Sequence, residues 1–386
     1  MTQPENFGYG VEEQLLQAEA RKFFKKHCNE LTLMDLLARN PDPERKPECQ
    51  WDRKTWQKMT ELGWNTMAVP ESAGGLGMRA VAVATLVEEA GRAALPSPLM
   101  ATVNATYVLA ACGTEGAAAA LGEIAADKTA SLAITNAKGS WEISATDVAV
   151  SFTDGGMALN GASWFVQDAG KADFLVVKAA SQAGIGLFVV PVDAPGVTII
   201  PDAIVDLSRD QAHVTFENVA VGPANVAAEP GRGRAALEKA RPALLTMVSA
   251  DMCGAGEWQL QTTAAYARER KQFDRPIGFF QAVKHPIVNM MIMIDSARSH
   301  VYNAACAIDH EPEEADRYAT MAKAAASDMA AFCSSRSVQY HGGMGFTWEC
   351  FIHLYFKRQK HNQVLYGDAV YHRARLADML IGPVAA

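Results

Sequence analysis

The chain has 386 residues, room for two or three domains, and is 49% hydrophobic and 20% charged, an ordinary balance for a packed core. Its net charge is −8 with no long basic run, which argues against nucleic acid as a partner, because neutralising phosphates needs clustered Lys and Arg. The seven cysteines are odd in number and contain no CxxC pair, so a disulfide framework or zinc site is not expected and reduced thiols in a cytoplasm are.

Three textures follow one another. MTQPENFGYG has no basic region followed by an apolar run, so no signal peptide is expected. No apolar stretch of about 18 residues reads as a membrane span. Leu15, Leu16, Phe23 and Phe24 recur at helical spacing, and Ala-rich runs at Val81–Leu95 and Ala101–Ala126, separated by Pro96 and Pro98, predict further helices. From Thr129 to Gly222 short apolar runs alternate with Gly, Asp and Asn. Strands are predicted at Ser131–Thr135, Val148–Phe152, Met157–Leu159, Ser163–Val166, Phe174–Val177, Leu187–Val192 and His213–Phe216, with Asn160-Gly161 as a two-residue hairpin turn. Helical patterns return at Ala235–Ala255, Gln259–Gln272, Ala282–His310, Ala315–His341 and Val364–Leu380. The class is α+β, with domains expected over residues 1–128, 129–229 and 230–386.

Generic motifs carry little. Gly231-Arg232-Gly233 is half of a dinucleotide fingerprint and follows no strand–turn–helix unit. His341-Gly342-Gly343 has no GxSxG elbow to accompany it, which argues against acyl hydrolysis. The nine His form no HxxxH pair, so no metal site is expected.

More informative are Leu62-Gly63-Trp64 with Gly74-Gly75-Leu76-Gly77, then the run from Tyr266 through Arg270 and Phe273 to Pro276-Ile277-Gly278 and Gln281. The third is Gln339-Tyr340-His341-Gly342-Gly343-Met344-Gly345-Phe346. In this order the segments resemble the acyl-CoA dehydrogenase family along nearly the whole chain. The resemblance implies a helical N-terminal domain, a β-barrel-like middle domain and a C-terminal four-helix bundle. It also implies FAD, an acyl-CoA substrate oxidised at its α,β bond, a tetramer of this chain or with a homologous subunit, and an electron acceptor such as an electron-transfer flavoprotein. On that resemblance Arg270 reaches the pyrophosphate of a neighbour's FAD, a task suited to a guanidinium fork. Phe273 packs on the cofactor, Gln281 bonds its adenosine end, and Gln339, Gly342 and Gly343 belong to the segment where backbone approaches it closely. The alternative is that Arg270 pairs with an acid and the glycines end a helix.

Two departures stand out. The flavin-covering loop of the family is replaced by Asn136-Ala137-Lys138-Gly139-Ser140-Trp141, leaving Thr135 as the clear match, while Trp164 matches the aromatic beside the flavin ring or is an ordinary hairpin Trp. The catalytic base is also missing: Gly367 stands at the usual Glu position and Leu244 at the alternative one. Asp251, two helical turns beyond Leu244, and Asp368 are the substitute candidates; otherwise Asp251 is a helix-packing partner and Asp368 an N-cap.

Gly345–Glu349 and Tyr366–Arg373 look like subunits of the heteromeric dehydrogenases that act on steroid- or terpenoid-like CoA side chains. In those assemblies one subunit type keeps the cross-interface cofactor residues and has lost its own site. The expectation is FAD-dependent acyl-CoA dehydrogenation within a tetramer, or a catalytically silent partner that completes FAD sites on a homologous chain. A non-redox reaction on CoA thioesters with the same fold stays open.

Overall fold

The computed structural model describes residues 10–38, 51–153 and 156–382; Cys49 and the first nine residues, on which the signal-peptide expectation rests, lie outside them. The N-terminal region is helical: α1 (Val11–His27), α2 (Glu30–Leu33), α3 (Arg53–Glu61), α4 (Ala80–Arg92), α5 (Leu99–Cys112) and α6 (Glu115–Ala125). The Ala-rich run expected as one helix over 101–126 is two. Gly113 at φ +72° ends α5, and the Thr114 hydroxyl caps α6 by accepting from the Ala117 N–H.

The middle of the chain forms β1 (Ala130–Ala133), β2 (Asp147–Thr153), β3 (Gly156–Gln167), β4 (Phe174–Ser181), β5 (Gly184–Pro191), β6 (Val197–Pro201), β7 (Gln211–Val221) and β8 (Val226–Ala228). The strand order is β6-β7-β3-β2-β4-β5-β8, with β1 parallel to β4. Among the described residues nothing pairs β6 with β8, so the sheet is barrel-like without closing. Alternate residues of β7 (Ala212, Val214, Phe216) bury against Val148, Leu159, Leu175, Val177 and Phe188, as the two-residue period of a strand requires.

Asn160-Gly161 is not a hairpin turn. Both residues lie inside β3, where the register against β7 slips between Leu159 and Gly161. Gly161 sits at φ +123°, and a Cβ there would come within 2.1 Å of the Asp147 carbonyl oxygen. The glycine serves a bulge and a close approach of β2, two needs that leave the same local mark as a turn.

The last region comprises α7 (Gly233–Glu269), a two-residue ribbon of β9 (Lys271–Gln272) and β10 (Arg275–Pro276), α8 (Gln281–His310), α9 (Pro312–His341), α10 (Ile352–Val364) and α11 (Ala369–Ile381). The two patterns read at 235–255 and 259–272 are one 37-residue helix with a short ribbon after it. The helix expected from 364 begins at Ala369, and α10 precedes it unpredicted. Helix α10 hides from pattern reading because it buries Arg358, Gln359 and Asn362, whose N–H donors find partners far away in sequence. In α9, Ala315, Ala319, Ala322, Ala326 and Ala330 form a row of small buried residues, so the facing stretch of α8 (Ala297, Val301, Ala304) packs close.

One apolar core draws on all three regions: Leu109 and Leu121 from the N-terminal helices, Leu132, Val176 and Leu187 from the sheet, and Leu237 and Leu244 from α7. The cleft described next lies at this junction. Among the described residues no helix is long and apolar enough to cross a membrane, and no three His, Cys, Asp or Glu side chains are grouped to hold a metal.

Candidate active site

Six of the expected cofactor residues meet at one end of the helical bundle. Helix α7 stops at Glu269, and Arg270 leaves it in extended conformation with its N–H still bonded to the Tyr266 carbonyl at 2.8 Å. The ribbon then turns through Phe273 and Asp274, both at positive φ (52° and 58°), as a two-residue hairpin loop requires. Phe273 is 86% exposed as a result. Gln281 starts α8, and the Tyr340 hydroxyl, near the end of α9, donates to the Ala282 carbonyl at 3.2 Å. The His341 ring stacks on Tyr266 with centroids 4.4 Å apart, which joins the end of α9 to that of α7. Arg270, Phe273, Gln281, Gln339, Gly342 and Gly343 are thereby brought together, all exposed.

The chemistry of this end fits a phosphate-bearing, planar group. The Arg270 side chain has no hydrogen bond or ion pair among the described residues, unlike Arg241, Arg298 and Arg358. Gly342 has φ 58° and ψ −138°, and a Cβ on it or on Gly343 would meet nothing within 4 Å. The glycines therefore face open space, where a bound group would approach the backbone. FAD matches this donor set: a diphosphate for the guanidinium and an aromatic system for Phe273.

Thr135 and Trp164 lie elsewhere, at the edge of a cleft between sheet and bundle. They face each other as an isolated antiparallel bridge, with the Trp164 N–H donating to the Thr135 carbonyl at 2.9 Å. The Trp164 indole stacks on the His213 ring at 4.6 Å. Beyond Thr135 the cleft is filled by the chain itself. The Trp141 indole N–H donates to the Val364 carbonyl at 2.9 Å, and its ring lies 5.0 Å from that of Tyr366. The Tyr366 hydroxyl accepts from Asn104 at 3.0 Å. What remains beside them is a cavity of about 40 Å³ lined by Leu244, Lys178, Arg241, Tyr371 and His372 among others, with no carboxylate in its wall among the described residues. Burial pushes the Lys178 ammonium down to about 8 and the His372 imidazole down to about 4. Neutral His372 then donates from Nε2 to the Tyr366 carbonyl at 2.9 Å. A flavin tricycle or an acyl thioester needs a pocket of roughly 300 Å³ or more, so this chain's own cleft does not fit the cofactor.

Neither substitute base reaches that cavity. Asp251 is 1% exposed and bound on both oxygens: Arg358 at 3.0 and 2.6 Å, Asn362 at 2.6 Å and Arg209 at 3.1 Å. Burial alone would raise its carboxyl, but the two guanidiniums and the hydrogen bonds hold it below the usual carboxylate range. A general base needs the reverse, a free lone pair and a raised pKa. Asp368 is exposed and caps α11, accepting from the Tyr371 N–H at 2.9 Å. Gly367, at the usual base position, sits at φ +101°, and a Cβ there would lie 2.4 Å from the Tyr371 ring. Lys323 fixes that backbone from below. It is fully buried and pushed down to about 7, and it donates to the Gly367 carbonyl at 2.7 Å and the Gln363 carbonyl at 3.0 Å.

Sequence reading did not find Trp141, Tyr366, Lys323 or Arg358 as site-shaping residues. A lone Trp after Gly139-Ser140 in a loop was the one available signal; Arg358 and Asp251 are 107 positions apart and left none.

Comparison with known proteins fits this geometry. A family model for the acyl-CoA dehydrogenase N-terminal domain matches residues 11–125, and one for the acyl-CoA dehydrogenase C-terminal domain matches residues 234–381. Acyl-CoA dehydrogenase IpdE2 of Mycobacterium tuberculosis is 28% identical over 359 residues, covering 93% of this chain and 92% of that protein. A solved structure of a variant of the Tcur3481–Tcur3483 steroid ACAD has a TM-score of 0.84 at 28% identity, covering 96% of this chain and 98% of that one. The ChsE4–ChsE5 complex from Mycobacterium tuberculosis gives 0.86 at 25% identity, covering 98% and 100%. With both helical regions matched and relatives aligned along almost the whole length, the chain belongs to the acyl-CoA dehydrogenase family of FAD-dependent oxidoreductases.

Proposed function

We propose that this chain serves as the partner subunit of a heteromeric acyl-CoA dehydrogenase, lending the open end of its bundle to FAD held mainly by a homologous, base-bearing chain. The observation that carries this reading is the cavity beside Leu244 and Tyr366, which no carboxylate lines among the described residues. General-base help is worth ~10²–10⁴-fold, so a site without it is nearly inert. The exposed Arg270, Phe273, Gln281, Gln339, Gly342 and Gly343 support the other half of the reading, because they make few contacts within their own chain.

FAD, when bound, supplies the hydride-accepting chemistry. This chain's residues would hold it: Arg270 forks onto the diphosphate, Phe273 covers an aromatic face, the glycines let the backbone approach, and Gln281 and Gln339 bond the adenosine end. The likeness to a steroid ACAD and to a two-protein complex favours a bulky acyl-CoA as substrate and a heterotetramer as assembly. An electron-transfer flavoprotein is the proposed acceptor.

The test is to purify the chain alone and with a co-expressed homologue that carries the usual Glu. FAD retention and acyl-CoA-dependent bleaching of the flavin are expected only in the mixed assembly. If the chain alone holds one FAD per protomer and reduces it with an acyl-CoA, and Asp251→Asn or Asp368→Asn abolishes this, the reading is wrong.

A further inference from the structure

The segment between β1 and β2 explains how the unused cleft stays closed. Gly139, at φ +67°, completes a turn in which its N–H bonds the Asn136 carbonyl at 2.9 Å. That turn throws Ser140, Trp141 and Glu142 off the sheet and onto the α10–α11 junction. Two ties hold them there, the Trp141 N–H to the Val364 carbonyl at 2.9 Å and the Tyr371 hydroxyl to Glu142 Oε1 at 2.8 Å, and Lys178 Nζ of β4 ties the Glu142 carbonyl back to the sheet at 3.3 Å. Tyr366, which meets Trp141, is itself at φ +58°, a conformation that costs energy outside glycine and persists where its surroundings enforce it. Here the enforcement is visible: His372 holds the Tyr366 carbonyl, Lys323 holds that of Gly367, and Asn104 holds the phenol.

Trp141 and Tyr366 also line a second cavity of about 10 Å³, on the side of Asn104, Ser131, Thr135 and Gln167. The same two rings wall the 40 Å³ cavity on the side of Leu244. One cleft is thus divided in two by a pair of aromatic side chains, each from a different region of the chain.

We infer that residues 136–146 form a built-in plug: Trp141, latched to Tyr366 and Val364, occupies the cleft in which this chain would otherwise carry a flavin ring and a thioester. The inference rests on the partner-subunit reading for its purpose and on these contacts for its geometry. A subunit that lends residues to a neighbour's cofactor gains from a closed cleft, since an empty one would leave apolar walls unpacked and lose the contacts that stabilise the fold. The plug fills that space with the chain's own indole and needs no ligand to do so.

Riboflavin, a flavin ring without phosphates, probes the ring space apart from the bundle end. Wild-type chain, purified alone, is expected to leave riboflavin fluorescence unquenched, whereas Trp141→Ala joins the two cavities and tightens riboflavin binding about tenfold or more. Hydrogen exchange on the wild-type chain covers the case in which the variant does not fold: amides of 136–146 are expected to be protected without cofactor and unchanged by excess FAD. Stoichiometric riboflavin binding by wild type, free exchange in 136–146, or a folded Trp141→Ala that gains no binding each overturns the plug. An Arg270→Ala variant that leaves FAD in the mixed assembly untouched would instead remove the partner reading, and none of these outcomes depends on it.

Discussion

The end of the bundle and the cleft beside the sheet are the two regions where the expected cofactor residues lie, and they are in opposite states. At the bundle end, glycines face open space, Phe273 stands out at 86% exposure, and Arg270 is left without a partner among the described residues. In the cleft most groups are spoken for, Trp141 by Val364, Tyr366 by Asn104, Tyr371 by Glu142 and Lys323 by two carbonyls, while His372 Nδ1 and Asn104 Oδ1 are buried without a partner among the described residues. Unsatisfied groups held in the open are set out for a ligand or a neighbour, while satisfied, packed groups hold the chain together. On the proposed reading, the difference puts the function of this chain at its edge rather than in its middle.

The comparison is broken most forcefully at Asp251. If it belongs to the packing of the cleft's foundation, Asp251→Asn removes the one carboxylate that ion-pairs both buried Arg358 and Arg209 among the described residues, leaving them the more distant charge of Asp206, and lowers stability by about 3–5 kcal/mol. Chemical denaturation at pH 7 measures this. The sign with pH follows from the depressed carboxyl: its folded pKa lies below the unfolded value of about 3.9, so its stabilisation is present above that value and is lost as pH falls through the folded one. The gap between wild type and Asp251→Asn should therefore close in acid. A variant of unchanged stability would return Asp251 to the list of candidate bases.

Arg270→Ala acts on the other region. In the mixed assembly it should weaken FAD retention by about 1.5–3 kcal/mol, the worth of a hydrogen bond to a charged group, and leave the melting of the isolated chain unchanged. Flavin content after gel filtration reads the first and a thermal scan the second.

Gly367→Ala sharpens the account of the missing base. With φ at +101° and the Tyr371 ring 2.4 Å from the new Cβ, the substitution should cost on the order of 1–3 kcal/mol of stability. Putting Glu at this position alone should fail to create activity, because Tyr371 stands where the side chain would begin. Activity from Gly367→Glu in the isolated chain would show that the cleft opens more easily than its contacts indicate.

The smallest effect is expected at Asp368. As the cap of α11 it should contribute about 1 kcal/mol, so Asp368→Ala lowers the melting temperature slightly and Asp368→Asn, which also caps well, hardly at all. Loss of acyl-CoA reduction with Asp368→Asn, at unchanged stability, would instead make it catalytic.

What the sequence by itself determined is whatever local chemistry enforces. The order of helices, strands and helices follows from periodicity, and the glycine-punctuated ends of α7 and α9 are legible because a turn or helix end must be built from adjacent residues. The lack of a Glu at 367 or 244 is equally plain in the bare sequence. Tertiary structure decided the rest. It put Asn160-Gly161 inside a bulged strand, because a close approach of β2 demands the same glycine that a turn does. It also formed α10 around Arg358 and Asn362, which are held by Asp251 more than 100 positions away and, for Arg358, by Ser208 as well. And it turned Trp141 into the cleft to meet Val364 and Tyr366, partners 223 and 225 residues further on. Pairings over such distances leave no spacing to read, since each side chain is stable in its place only after the regions have packed together.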